Sequence, residues 1–280
     1  MKKRIIYIVS YFFTLLLLFV IQKPLFMLYN DAVGKEVSVN DFWQVMWHGV
    51  SLDATTAGYL TALPLLVILI SIWVRKMSLR KLLLPYYILA AILVSVVFVV
   101  DMGLYPFWGF KLDASIFLYL DSPKEAMASV SAGFIAVRIL AMIVWVAGMV
   151  WLLMKITPHI LEKVGNRVLG TLGGLLLGGV LFVIIRGGVT ESTSNVGQVY
   201  FSSNQFLNHS AVNPCFSLLS SMGKSKDFSS EFNFFEEEKR ADLFEGLYPT
   251  KSSDKNIKVL KTERPNVLLI LMEGFGSAFI

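Results

Sequence analysis

Residues 75–81 read Arg75-Lys76-Met77-Ser78-Leu79-Arg80-Lys81, four positive charges in seven residues set between two long apolar runs, 52–74 and 82–104. About 20 consecutive apolar residues suffice to cross a bilayer as a helix. Short loops crowded with Lys and Arg stay on the cytoplasmic side. The stretch therefore predicts a cytoplasmic turn joining two membrane-spanning helices, and with it an all-α polytopic membrane bundle. The first of the two runs carries Asp53 at its outer end and Pro64 inside; the second ends around Asp101.

Outward toward the N-terminus, residues 30–51 form a polar loop that turns into an amphipathic segment. Its Phe42, Trp43 and Trp47 suit the interfacial belt. Before it, Met1-Lys2-Lys3-Arg4 precedes an apolar run at 5–28. That run exceeds the apolar core of a signal peptide and no small-residue cleavage site follows, so it reads as an uncleaved first span with a cytoplasmic N-terminus. Toward the C-terminus, an outer loop at 105–129 holds Trp108, Lys111, Asp113 and Asp121 without a positive excess. A fourth span at 130–154 exits among Lys155, Lys163 and Arg167, and a fifth, glycine-rich span covers 168–185. Gly170, Gly173, Gly174, Gly178 and Gly179 would let a neighbouring helix approach closely. Arg186 then snorkels to the outer interface. Residues 1–187 thus read as a five-helix transmembrane domain, and everything after them as extracytoplasmic.

Composition agrees. Of 280 residues, 55% are hydrophobic and 16% charged, as in an integral membrane protein. The net charge of +5 marks topology and not a nucleic-acid partner, because the basic residues flank the apolar runs and form no stripe. A single cysteine, Cys215, excludes an intrachain disulfide framework, and His48, His159 and His209 have no zinc-like spacing.

Residues 188–263 are rich in Ser and Asn, with short apolar pieces at 199–206, 212–219 and 228–235. They read as a connector of short helices and extended segments packed near the bilayer surface. Residues 264–280 begin Arg264-Pro265-Asn266, run through six apolar residues, and reach Glu273-Gly274. Six apolar residues behind a turn signal suit a strand buried on both faces of a parallel sheet, the start of an α/β domain. A carboxylate at the end of such a strand lies where open α/β sheets place their chemistry. Glu273 is accordingly a candidate metal ligand, or else the acid of a helix start.

Arg138 lies inside the fourth span, where an arginine costs on the order of 3 kcal/mol on insertion scales and calls for a partner. Two readings stand: an ion pair with Asp53 or Asp101, or a contact to the phosphate of a lipid, whose oxygens match a guanidinium fork. Lys111 and Asp113 line the same outer entrance. With Asp53 and Arg138 they make the set of lipid-headgroup candidates.

Three stretches, together with the strand ending in Glu273, resemble the lipoteichoic acid synthase-like sulfatase family, the membrane-bound branch of the alkaline phosphatase superfamily. They are His48-Gly49-Val50-Ser51-Leu52-Asp53; Phe110-Lys111-Leu112-Asp113 with Tyr119, Leu120 and Pro123; and the run from Tyr200 to His209 with Asn213-Pro214. The resemblance implies that 264–280 opens an α/β catalytic domain and that Glu273 helps bind a divalent cation, manganese or zinc. It implies a transferase that moves phosphoglycerol or phosphoethanolamine from a membrane phospholipid to a glycan or lipid acceptor of the cell envelope. The family's threonine nucleophile and its other ligands lie beyond the first strand, so no catalytic residue is assigned in 1–280. The chain is expected to be the anchor and lipid-presenting part of a longer enzyme, inactive and without bound metal alone. A sulfatase or phosphodiesterase of the same superfamily, or a non-catalytic membrane scaffold, are the alternatives. The sequence leaves the oligomeric state open.

Overall fold

A computed structural model describes residues 1–30, 37–74, 77–117, 131–159, 161–223 and 234–245. The chain divides into two units, Met1–Ser225 and Lys226–Ile280. Every long element among the described residues is a helix. Five are long and apolar enough to cross a membrane: α1 (Lys2–Tyr29), α2 (Val39–Ile70), α3 (Leu79–Trp108), α4 (Ala132–Ile156) and α5 (Arg167–Arg186). The chain is a multi-pass membrane protein. A 3₁₀ turn (Val196–Val199), α6 (Gln205–Ala211) and α7 (Pro214–Met222) complete the first unit. The described part of the second unit contains α8 (Glu237–Glu245). The expected strand at 264–280, with Glu273, lies outside the described residues.

Helix boundaries follow from local chemistry. Ser38 and Asp41 close a reciprocal capping box that starts α2. Helix α2 therefore begins well before the expected span, and Asp53 sits in mid-helix, not at an outer end. Ser131 and Asn166 cap α4 and α5 by accepting from Phe134 N–H and Leu169 N–H. Helices α3 and α5 end on Gly109 and Gly187, whose φ of 70° and 91° only glycine adopts without strain.

Prolines inside the spans are used as joints. Pro64 has no N–H to offer the carbonyl of Leu60, and the Tyr86 hydroxyl of α3 donates to it instead at 2.6 Å. Pro106 likewise frees the carbonyl of Met102, which accepts from Asn30 Nδ2 at the end of α1 at 3.4 Å.

Helix α2 is the central element, packed against α1, α3 and α5, while α4 lies against α3 and α1. On α5, Gly174 faces Leu69 of α2 so closely that a Cβ would overlap it, whereas Gly173 and Gly179 meet nothing. The glycine stripe therefore serves close approach on one face only. The start of α1 meets the end of α2 at one end of the bundle, where Arg4 donates to Ser71 Oγ and O and to the Glu162 carbonyl. At the opposite end, the 3₁₀ turn, α6 and α7 fold onto α1, α2 and α3. A second apolar core forms there from Phe26, Leu52, Tyr105, Val199, Phe206 and Phe216.

Candidate functional site

The connector end is where paired charges enter the interior. Lys23, nearly two turns short of the end of α1, places Nζ 2.5 Å from both carboxylate oxygens of Asp53 on α2, and both side chains are buried. Asn213 donates from Nδ2 to Asp53 Oδ1 at 2.9 Å. Its own Oδ1 accepts the N–H groups of Cys215 and Phe216, capping α7. One amide thus ties a buried carboxylate to the start of a connector helix. Gly49, one turn before Asp53, leaves the space that the Lys23 stem and the Ala211 carbonyl occupy; a Cβ there would overlap both.

A second buried pair joins Asp101 near the end of α3 to Lys111 just after it. Asp101 Oδ1 also accepts the Leu112 N–H at 2.9 Å, so the chain leaving α3 folds back on its own helix. The Lys111 ammonium lies 3.9 Å from the ring centre of Phe26, a cation–π contact. Burial pulls its pKa below the usual lysine range, and Asp101 opposes that pull. Between the pairs, Gln22, Lys23, Asp101, Lys111 and Ser210 border a cavity of about 10 Å³, room for one water. The Gln22 amide, 2% exposed, has no protein partner among the described residues.

Around this polar core the connector is held by rings. His48 stacks on Phe201 with centroids 4.4 Å apart and planes within 4°. His209 Nδ1 lies 3.0 Å from Tyr105 Oη, and Gln205 Nε2 lies 3.3 Å from His209 Nε2. With Gln205 donating, the neutral imidazole carries its proton on Nδ1 and donates to Tyr105. Burial, then the nearby Lys111, lowers the His209 pKa. Burial pushes the Cys215 thiol up to about 12, so it is no nucleophile at neutral pH.

The structure brings two of the sequence candidates, Asp53 and Lys111, into one cluster, each with a partner the sequence reading did not name. It corrects the expected pairing of Arg138. Asp53 and Asp101 are already committed to Lys23 and Lys111, and Arg138 instead donates to Tyr29 Oη and the Phe134 carbonyl while lying 3.2 Å over the Phe134 ring. Lys23, Asp53 and Asp101 are further charges inside the spans. Asp113 stays apart, closing a local turn with Ser115 N–H and Oγ. The missed signal was Gln22-Lys23 inside an apolar run, which by itself calls for a buried partner.

Chemically, the cluster is a clamp. Its charges cancel in pairs, which leaves no free base. Among the described residues no three His, Cys, Asp or Glu side chains gather as a metal site. These side chains do not make up a manganese or zinc centre. Comparison of the chain with known protein families, with curated proteins and with solved structures finds no match.

Proposed function

We propose that this chain anchors and supplies lipid to a cell-envelope transferase, with its connector end outside the cell. That enzyme breaks the P–O bond between diacylglycerol and a phosphoglycerol or phosphoethanolamine group and forms one to an acceptor oxygen. In the family that the sequence resembles, this chemistry takes place in an α/β domain with a divalent metal. One observation carries the reading: the described parts of the three stretches on which the resemblance rests, more than 140 residues apart at the extremes, come together. His48 stacks on Phe201, Asp53 accepts from Asn213, and Lys111 borders the same small cavity as Pro214. Residues that serve one docked unit are the ones expected to recur together.

The test is the full-length protein in nanodiscs of phosphatidylglycerol or phosphatidylethanolamine with manganese or zinc, assayed for diacylglycerol release and headgroup transfer. Release with a labelled acceptor product supports the reading; a folded protein that cleaves neither lipid removes it. The absence of a reacting group from the clamp favours a plain scaffold as the second reading, and that outcome would select it. A reporter fused after position 190 checks the sidedness independently, since a cytosolic signal would end the proposal.

A further inference from the structure

A crevice of about 780 Å³ runs between α2 and α5 and under α7, apart from the charge clamp. Its apolar walls are Tyr59 on α2, Phe182 and Ile185 on α5, and Leu219 on α7, while Arg186 and Ser194 stand at its connector end. Tyr59 and Phe182 are 55% and 65% exposed, so the crevice opens sideways on the surface of the bundle that meets hydrocarbon. Its frame is fixed by short contacts: Gly58 lets Ile185 come so near that a Cβ would lie 2.7 Å from it. Thr55 Oγ1 bonds Ser194 Oγ at 2.9 Å and the Ile184 carbonyl at 3.3 Å.

Arg186 is held but not saturated. Its Nη1 donates to the Gly188 and Thr190 carbonyls, at 3.1 and 2.5 Å, and its Nη2 to the Glu191 carbonyl at 3.4 Å. A guanidinium has five N–H groups. Nε–H and one Nη2–H therefore have no protein acceptor among the described residues, which leaves charged donors that phosphate oxygens can take up. The backbone carbonyls set the orientation of the group without neutralising it.

We infer that this crevice binds one anionic phospholipid, an acyl chain lying along Tyr59 and Phe182 and its phosphate on the free edge of Arg186. A hydrocarbon-facing slot that ends in an oriented guanidinium at headgroup level suits an anionic lipid better than a zwitterionic one. The inference deepens the transferase reading, on which it rests for the lipid's role as donor, by naming where that donor waits.

The test uses the protein in phosphatidylcholine nanodiscs containing a minority of phosphatidylglycerol. Native mass spectrometry reads retained lipid, and a diazirine-bearing phosphatidylglycerol maps contacts. Phosphatidylglycerol should be retained over phosphatidylcholine and should label the Tyr59 and Phe182 region. R186Q should weaken retention about tenfold, the effect of losing a charge-assisted bond. R186K should fall between, keeping charge without the fork. S220W narrows the slot from α7 and leaves Arg186 intact, so it should abolish retention even if R186Q proves unstable. Equal retention of both lipids, unchanged retention in S220W, or labels spread evenly around the bundle would overturn the site. Selective retention without diacylglycerol release would sink the transferase reading and leave the crevice standing; release without selective retention would do the reverse.

Discussion

The two ends of the bundle solve the same problem with different chemistry. At the end where α1 begins, the interior is tied without buried ion pairs among the described residues: Tyr7 Oη and Tyr87 Oη are 2.5 Å apart, Tyr87 Oη is 2.9 Å from Thr157 Oγ1, and Arg4 and Arg80 spend their donors on hydroxyls and carbonyls. At the connector end, two lysine–carboxylate pairs are buried beneath α6 and α7. Hydroxyl bonds to partners on neighbouring spans hold helices side by side. The charges do more, because Asp53 reaches Asn213 and so fixes a segment 160 residues away in the chain. A buried pair adds little net stability over an apolar one, but losing one member is costly, which suits an element that must dock in a single register.

The contrast is most severely tested by D53N, which leaves the Lys23 ammonium buried without its carboxylate. A loss of about 3–5 kcal/mol is expected. Cys215, the single cysteine and 8% exposed, reports docking directly, so its maleimide labelling should accelerate sharply. The double change K23M/D53L removes both charges and should restore much of the protection. Equally fast labelling in the double variant would show that the lost bond from Asn213 to Asp53, and not the stranded ammonium, is what frees the connector.

G49A leaves every charge in place and adds one methyl group where the Ala211 carbonyl and the Lys23 stem already lie. Overpacking of this kind costs about 1–3 kcal/mol. Unfolding should occur at lower temperature and Cys215 should label faster, by less than in D53N. At the other end, Y87F removes a hydroxyl that bridges Tyr7 and Thr157, about 1 kcal/mol. It should lower thermal stability without changing Cys215 labelling under native conditions. If Y87F exposed the thiol as well, the ends would be one cooperative unit and the contrast would fail.

How much of this was legible in the sequence follows from which interactions are local. Apolar run length marks a span wherever it lands, and the five helices match the five runs to within a few residues, apart from the start of α2. That boundary depends on Ser38 and Asp41, a capping pair hidden in a polar stretch. Arg138 drew attention as a charge in an apolar run, yet Lys23, in an equally apolar run, did not, because it lies near the span's end where lysines usually reach for water. Its partner, 30 residues on, is a matter of how α1 and α2 rotate about their axes. No periodicity encodes that rotation. Asn213 illustrates the same limit: its role as a cap is readable from Asn-Pro, and its bond to Asp53 is not.

The smallest expected effect concerns His209, which has Tyr105 and Gln205 as hydrogen-bond neighbours and faces Lys111 and Asp101 beyond them. Its pKa in the folded protein is lowered, first by burial and then by Lys111. In the unfolded chain it returns to about 6.5. Between those two values the unfolded state binds a proton that the folded state refuses, so stability must rise with pH through this window. The contribution is therefore fully present above about pH 6.5 and falls as acidification carries the solution toward the folded pKa. Protonation would also turn Nε2 from an acceptor into a donor facing the Gln205 amide, which ends that bond. Chemical unfolding of the wild type between about pH 8 and pH 5 should thus show a decline that H209Q lacks, since glutamine does not titrate. Parallel pH profiles for the two proteins would assign the decline to carboxylates elsewhere, and would mean that the imidazole is not what makes the connector end sensitive to acid.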